Sequence, residues 1–244
     1  MTKKIFILLC LLSSWFASAY NFTIDFNQGL YWQTLPVVFK IQDSNELLNE
    51  LASASNTMWS DAANLSLWGI DNNSKTSNVI RWSKNFGAET GYDEKSTLAI
   101  TVRTPSGPYW SKFEIILNGS TYITQDANAL RTVIVHEMGH TLGLDHSTDP
   151  DAVMGAYINL NFQDLAQDDV DGINSLVTET KKRQESNYKS PISSQSSSKG
   201  LSCGTVDLGN DHHDGPKAGN VIGSLLIGFL MAMAMRKNLK FVSV

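Results

Sequence analysis

His136-Glu137-Met138-Gly139-His140-Thr141-Leu142-Gly143-Leu144-Asp145-His146 is the stretch on which the fold and the chemistry of this 244-residue chain turn. Residues at i and i+4 lie one turn apart on one helix face, so His136 and His140 can reach a single ion. Glu137 stands beside the first of them, placed to act as a base. Gly143 can adopt a backbone conformation closed to other residues, ending the helix in a sharp turn that returns His146 as a third ligand. Three imidazoles leave the fourth tetrahedral position of Zn²⁺ open for water, the mark of a catalytic rather than a structural site. The bland alternative is a set of polar residues on an exposed helix. Against it, three of the chain's five histidines fall at the ligand positions.

Around this helix, expected from Asn128 to Gly143, the pattern of the chain supplies a domain. Leu47, Leu48, Leu51, Ala54 and Met58 recur at helical spacing, which predicts an amphipathic helix over Glu46–Trp59, capped by Asn45 or Ser44. A third helix is expected from Asp164 to about Thr178, with Val170, Ile173 and Val177 on one face and Asp164 and Gln167 resembling a capping box. Leu35–Ile41, Asn78–Trp82, Thr97–Arg103 and Phe113–Asn118 read as strands, separated by clusters such as Thr104-Pro105-Ser106-Gly107-Pro108. Few strands, about three helices and no repeat predict an α+β domain over residues 20–180, with a small, twisted, mixed sheet.

The two ends read as addresses. Lys3 and Lys4, an apolar run from Ile5 to Phe16, and Ala17-Ser18-Ala19 describe a secretory signal peptide over residues 1–19, cut before Tyr20. Residues 181–217 are expected to be a Ser-rich flexible linker. Residues 218–235 form an apolar run reaching about 27 Å as a helix, a transmembrane or sorting-signal span. Arg236, Lys237 and Lys240 follow in a basic tail, 236–244, placed in the cytoplasm by the positive-inside rule. Cys203 before that run resembles bacterial C-terminal sorting tails, which implies a membrane processing enzyme acting near it. The alternative is a free or intermolecularly paired thiol beside an ordinary anchor. The expectation is an exported catalytic domain at the cell surface, membrane-anchored or released.

The net charge of −5 blurs this division. Residues 20–180 hold 8 Lys and Arg against 20 Asp and Glu, and most other basic residues sit at the ends. An acidic domain of this kind excludes a nucleic-acid-binding role, which needs a basic patch. Hydrophobic residues at 42% exclude a wholly disordered chain.

The 136–146 pattern resembles the metzincin clan of zinc endopeptidases, and more narrowly the matrixin family of matrix metalloproteinases and their bacterial relatives. His146-Ser147-Thr148-Asp149-Pro150-Asp151-Ala152-Val153-Met154 looks like the matrixin run ending in the methionine of the Met-turn. Phe113–Asn118 resembles the family's edge strand, and Leu165–Ile173 its C-terminal helix. The resemblance implies a metzincin-like catalytic domain, with His136, His140 and His146 on one catalytic zinc and Glu137 activating the attacking water. It implies Met154 supporting the site from below, and an extended peptide or protein substrate along Ile115, Ile116, Leu117 and Asn118. Where many members carry Tyr-Pro after the Met-turn, this chain reads Gly155-Ala156-Tyr157, so Tyr157 is a candidate pocket wall or oxyanion group. Asp93 and Glu94 are a candidate calcium site, weighed against a solvated turn. No cysteine-switch propeptide is recognised between the leader and the first strand. The competing function is a non-catalytic surface adhesion or binding module on the same fold.

Overall fold

The structure, a computed structural model, describes residues 18–192 and 201–203. The expectations for the leader up to residue 17, for residues 193–200, for the 218–235 span and for the tail lie outside the described residues. Among the described residues, no helix is long and apolar enough to cross a membrane.

In chain order the elements are β1 (Asn21–Phe22), α1 (Ile24–Asn27), β2 (Val37–Ile41), α2 (Glu46–Ala62), β3 (Trp68–Ile70), β4 (Val79–Ser83) and α3 (Phe86–Thr90). They continue as β5 (Ala99–Ser106), β6 (Tyr109–Asn118), α4 (Ala127–Leu142), β7 (Leu144–Asp145), α5 (Gln167–Glu185) and β8 (Leu201–Cys203). The main sheet runs β3-β2-β4-β6-β5-β8. Its first four strands are mutually parallel, while β5 is antiparallel to both β6 and β8. A two-stranded antiparallel pair, β1 with β7, stands apart from it. The expected α+β class and mixed sheet are observed, as are the three long helices, with α1 and α3 as short additions.

Helix α2 forms because Asn45 caps it, its side chain accepting from Leu48 N at 3.0 Å. Leu48, Ala52, Ser55 and Trp59 then bury one stripe of it. Helix α5 starts three residues later than expected and runs further, to Glu185. Its cap works from inside the first turn, where the Asp169 carboxylate accepts from Ala166 N at 2.9 Å. The ordered chain also passes the expected boundary at 180. The Tyr31 hydroxyl donates to Tyr188 O at 2.8 Å, and the buried Ser190 hydroxyl donates to Gln28 O at 3.0 Å. Helix α5 thus carries the chain past Lys181.

Phe113–Asn118 is not an edge strand, because β6 lies between β4 and β5. Ile115, Ile116, Leu117 and Asn118 are all buried. Three consecutive apolar residues with both faces covered are the pattern of an interior strand, where alternation is not needed. The Asn118 amide group is committed as well, donating to Glu94 O and Thr97 O at 2.8 Å each. The strand beyond β6 is β5, whose outer edge carries β8 over Thr101–Arg103.

The core beneath β5 holds an ion pair. Arg103 Nη2 and Nε reach the two Asp25 oxygens at 2.9 Å, and the residues are 1% and 2% exposed. Trp110 Nε1 donates to Asp25 Oδ2 at 3.0 Å, and Arg103 also donates to His140 O. Burial alone would raise the Asp25 carboxyl, but the Arg103 charge and hydrogen bonds prevail and hold it below the usual carboxylate range. Its contribution to stability is then full above the unfolded carboxylate pKa and is lost as pH falls through the folded value. Removing one partner strands a buried charge, so Arg103→Leu is expected to cost about 3–5 kcal/mol in urea unfolding. A loss under about 1 kcal/mol would mean that the pair is solvated.

Candidate metal centre and active site

Helix α4 is a core helix, buried from Thr132 to Leu142 without a break. A helix buried on all sides must be fixed by its neighbours rather than by one amphipathic face. Asp126 starts it, accepting from Asn128 N and Ala129 N at 3.0 Å each. Three indoles then grip it. Trp59 Nε1 donates to Val135 O at 2.9 Å, Trp32 Nε1 to Thr141 O at 2.8 Å, and Trp68 Nε1 to Thr141 Oγ1 at 3.0 Å. The bonds from Trp32 to Thr141 O and from Arg103 to His140 O occupy carbonyls of the last turn, beside the Gly143 N–H, which donates to Gly139 O and His140 O. The guanidinium also lies at the negative end of the helix dipole.

Two glycines set the site. A Cβ on Gly139 would come within 2.5 Å of Met154 Sδ, so the absence of a side chain there lets the Met-turn press against the helix. Gly143 has φ +113° and ends α4, and a Cβ there would sit 2.8 Å from the Trp110 ring. The chain then enters β7, which pairs with β1 through Leu144 opposite Phe22. That pairing carries His146 back over the helix.

The three imidazoles converge as the spacing predicts. One ring nitrogen of each of His136, His140 and His146 lies within 4.8 Å of the others. His136 Nδ1 is 2.7 Å from Val153 O, and His140 Nδ1 is 2.7 Å from Leu144 O. A carbonyl oxygen only accepts, so each Nδ1 carries the proton and each Nε2 is a bare lone pair. Those two Nε2 atoms are 2.9 Å apart. Lone pairs held so close repel unless a cation lies between them. The buried His146 Nε2 has no protein partner, and neither does Glu137 Oε1. Carbonyl-oriented histidines are the usual outer support of a zinc site, and the donor set fits Zn²⁺.

Electrostatics agree. Burial, with His146 nearby, pulls His136 down to about 3. Burial and the neighbouring imidazoles hold His140 well below its usual range, and burial lowers His146. All three are neutral at pH 7, the form that binds metal. Burial pushes Glu137 up to about 8, against the pull of Thr101 and Arg103. A divalent cation beside the carboxyl reverses that balance in favour of the carboxylate.

Two further carboxylates hold the Met-turn. Asp169 accepts from Val153 N at 2.8 Å and Met154 N at 3.1 Å, fixing the buried Met154 and the carbonyl that orients His136. Asp168 accepts from the Ser147 hydroxyl at 2.6 Å and from Ala19 N and Tyr20 N at 2.9 Å each. Sequence spacing carries no sign of these roles. Nor does it mark Thr101, whose hydroxyl lies 2.6 Å from Glu137 Oε2.

Tyr157 is 64% exposed and lines an open depression with Ser147, Pro150 and Ile158. Asp93 turns its carboxylate onto its own loop, accepting from Lys95 N at 3.0 Å and Ser96 Oγ at 3.2 Å, as a solvated turn does.

Comparison with known proteins agrees with the geometry. The sequence profile described as matrixin, a peptidase family, matches residues 32–178. Macrophage metalloelastase of Oryctolagus cuniculus is 44% identical over 71 residues, covering 25% of this chain and 15% of that protein. Human matrix metalloproteinase-16 is 46% identical over 55 residues, 21% of this chain and 9% of the relative. Human neutrophil collagenase is 26% identical over 156 residues, 59% of this chain and 33% of the relative. The chain thus spans no more than about a third of the length of these relatives.

Proposed function

The chain belongs to the matrixin family, and from that premise we propose that it is an exported, membrane-tethered zinc metalloendopeptidase. The observation that carries the reading is the pair of bare Nε2 atoms of His136 and His140, 2.9 Å apart, with Glu137 Oε1 buried and unpartnered.

His136, His140 and His146 hold the metal as neutral imidazoles. Zinc, when bound, supplies a Lewis acid that polarises the scissile carbonyl and acidifies water. Glu137 Oε1 accepts a proton as the water oxygen bonds to the carbonyl carbon. Glu137 then passes that proton to the amide nitrogen as the C–N bond breaks. Met154 supports the site by packing against Gly139. Tyr157 forms the outer wall of a side-chain pocket. An extended substrate adds a strand to the outer edge of β5, the strand nearest Glu137. Such a mode favours unfolded segments and loops. Export rests on the leader pattern of residues 1–19, and tethering on the apolar run 218–235 with its basic tail.

A non-catalytic binding module would need neither a buried base nor an open metal position. The test is a library of unstructured peptides incubated with the full chain, with and without a chelator. Cleavage that the chelator abolishes supports the reading, and the cut sites give the pocket preference. No cleavage at any sequence would favour the binding module.

A further inference from the structure

The contact between β5 and the catalytic helix assigns a role to a residue outside the zinc-binding pattern. We propose that Thr101 is a positioning residue for the general base. Its hydroxyl engages Glu137 Oε2 and so leaves Oε1 as the oxygen presented to water. The proposal rests on the metallopeptidase reading above.

Thr101 is fully buried, and its hydroxyl lies 2.6 Å from Glu137 Oε2 and 3.0 Å from Glu137 O. The hydroxyl has one proton to give, and the shorter contact to an acceptor that becomes charged is the stronger one. Glu137 Oε1 is buried with no protein partner. The two oxygens of one carboxylate are thus unlike, one satisfied and one free. The terminal torsion of a glutamate is broad and nearly two-fold, so rotation alone would not keep them apart. Arg103, two residues along the same strand, donates to His140 O, so strand and helix are tied both at Glu137 and one turn beyond it. The hydroxyl therefore sits on a fixed support. Fixing a base in advance accelerates the step that uses it without changing how tightly substrate binds.

Thr101→Val keeps the shape and removes the hydroxyl, while Thr101→Ser restores it. Thr101→Ala is a second deletion should valine disturb folding. Valine and alanine are expected to lower kcat about 10- to 100-fold, as for loss of a hydrogen bond to a charged group. KM is expected to stay within about twofold, serine to recover most of kcat, and zinc affinity in chelator competition to match wild type. Wild-type kcat in valine and alanine, a change in KM alone, or serine as impaired as valine would overturn the role. If the wild-type chain shows no chelator-sensitive cleavage, the metallopeptidase reading falls, and the positioning role with it.

A second inference follows from strand pairing alone. Leu201–Cys203 lies antiparallel on the outer edge of β5, with Cys203 opposite Thr101, Ser202 opposite Val102 and Leu201 opposite Arg103. The same stretch of β5 faces the catalytic helix through Thr101 and Arg103. A strand edge offers one row of backbone donors and acceptors, so β8 and an added substrate strand exclude each other there. We infer that residues 201–203 act as an internal competitor for the substrate edge.

Proline cannot donate to a ladder, so Ser202→Pro, or Leu201→Pro with Cys203→Pro, removes the strand's donors in one register or the other. In the full chain, at least one of these variants is expected to lower KM for long peptides severalfold with kcat unchanged. The same variant is expected to speed amide exchange in Thr101–Arg103, a readout that needs no catalysis. Unchanged exchange in both variants would mean that the strand does not dock. Faster exchange with unchanged KM would mean that it docks without competing. Either result overturns the inference.

Discussion

Glu137→Gln is expected to lower kcat for peptide hydrolysis by about a thousandfold while the chain keeps its zinc. The size follows from what is removed. General acid–base transfer by a placed side chain contributes about 10²- to 10⁴-fold, and the amide cannot accept the proton. Its neutrality is not a folding hazard. Glu137 is buried without a salt-bridge partner, and the Thr101 hydroxyl can donate to an amide oxygen as it does to Oε2. The substrate binding proposed along β5 does not depend on the proton, so KM is expected to remain within about twofold. Steady-state cleavage of a fluorogenic peptide, with zinc measured on the same sample, checks this. A variant retaining a tenth or more of wild-type kcat with full zinc would show that another group takes the proton.

His140→Ala is the second large effect, and it acts on metal rather than on proton transfer. His140 supplies one of the two Nε2 atoms that face each other at 2.9 Å, and its ring is oriented by Leu144 O. Its removal leaves two imidazoles, too few to close a tetrahedral site. Loss of an outer-shell partner alone typically costs 10- to 100-fold in metal affinity, so loss of the ligand is expected to exceed about a hundredfold. Hydrolysis should vanish with the zinc. The variant also frees a buried volume beside Gly139 and Thr141, so melting curves on metal-free samples separate lost packing from lost metal. Zinc binding within about threefold of wild type would remove His140 from the ligand set.

What the sequence makes legible is local. His136, Glu137 and His140 share one helix, and Gly143 is close enough to His146 for the turn to be read between them. Asn45 announces the start of α2 because its cap lies three residues away. The contacts that finish the site are distant in the chain. Thr101 meets Glu137 across 36 positions, and Trp32 meets Thr141 across 109. No periodicity encodes those partners. Asp169 caps α5 and clamps the Met-turn at once, roles that an acidic run Asp168-Asp169 shares on its face with any solvated helix start. Strand order is likewise non-local. The run Ile115-Ile116-Leu117 resembles an edge strand by family likeness, yet three apolar residues in a row fit burial on both faces, as β6 inside the sheet and β5 beyond it require.

One zinc ion, on three histidines, is proposed to make this chain a peptidase. The most direct test is a zinc titration of the metal-stripped full chain, with peptide cleavage read at each addition. No cleavage is expected without metal, followed by a linear rise and a break at about one equivalent per chain, the capacity of a single three-imidazole site. Cleavage that persists without metal, or none at one equivalent of bound zinc, would contradict that proposal.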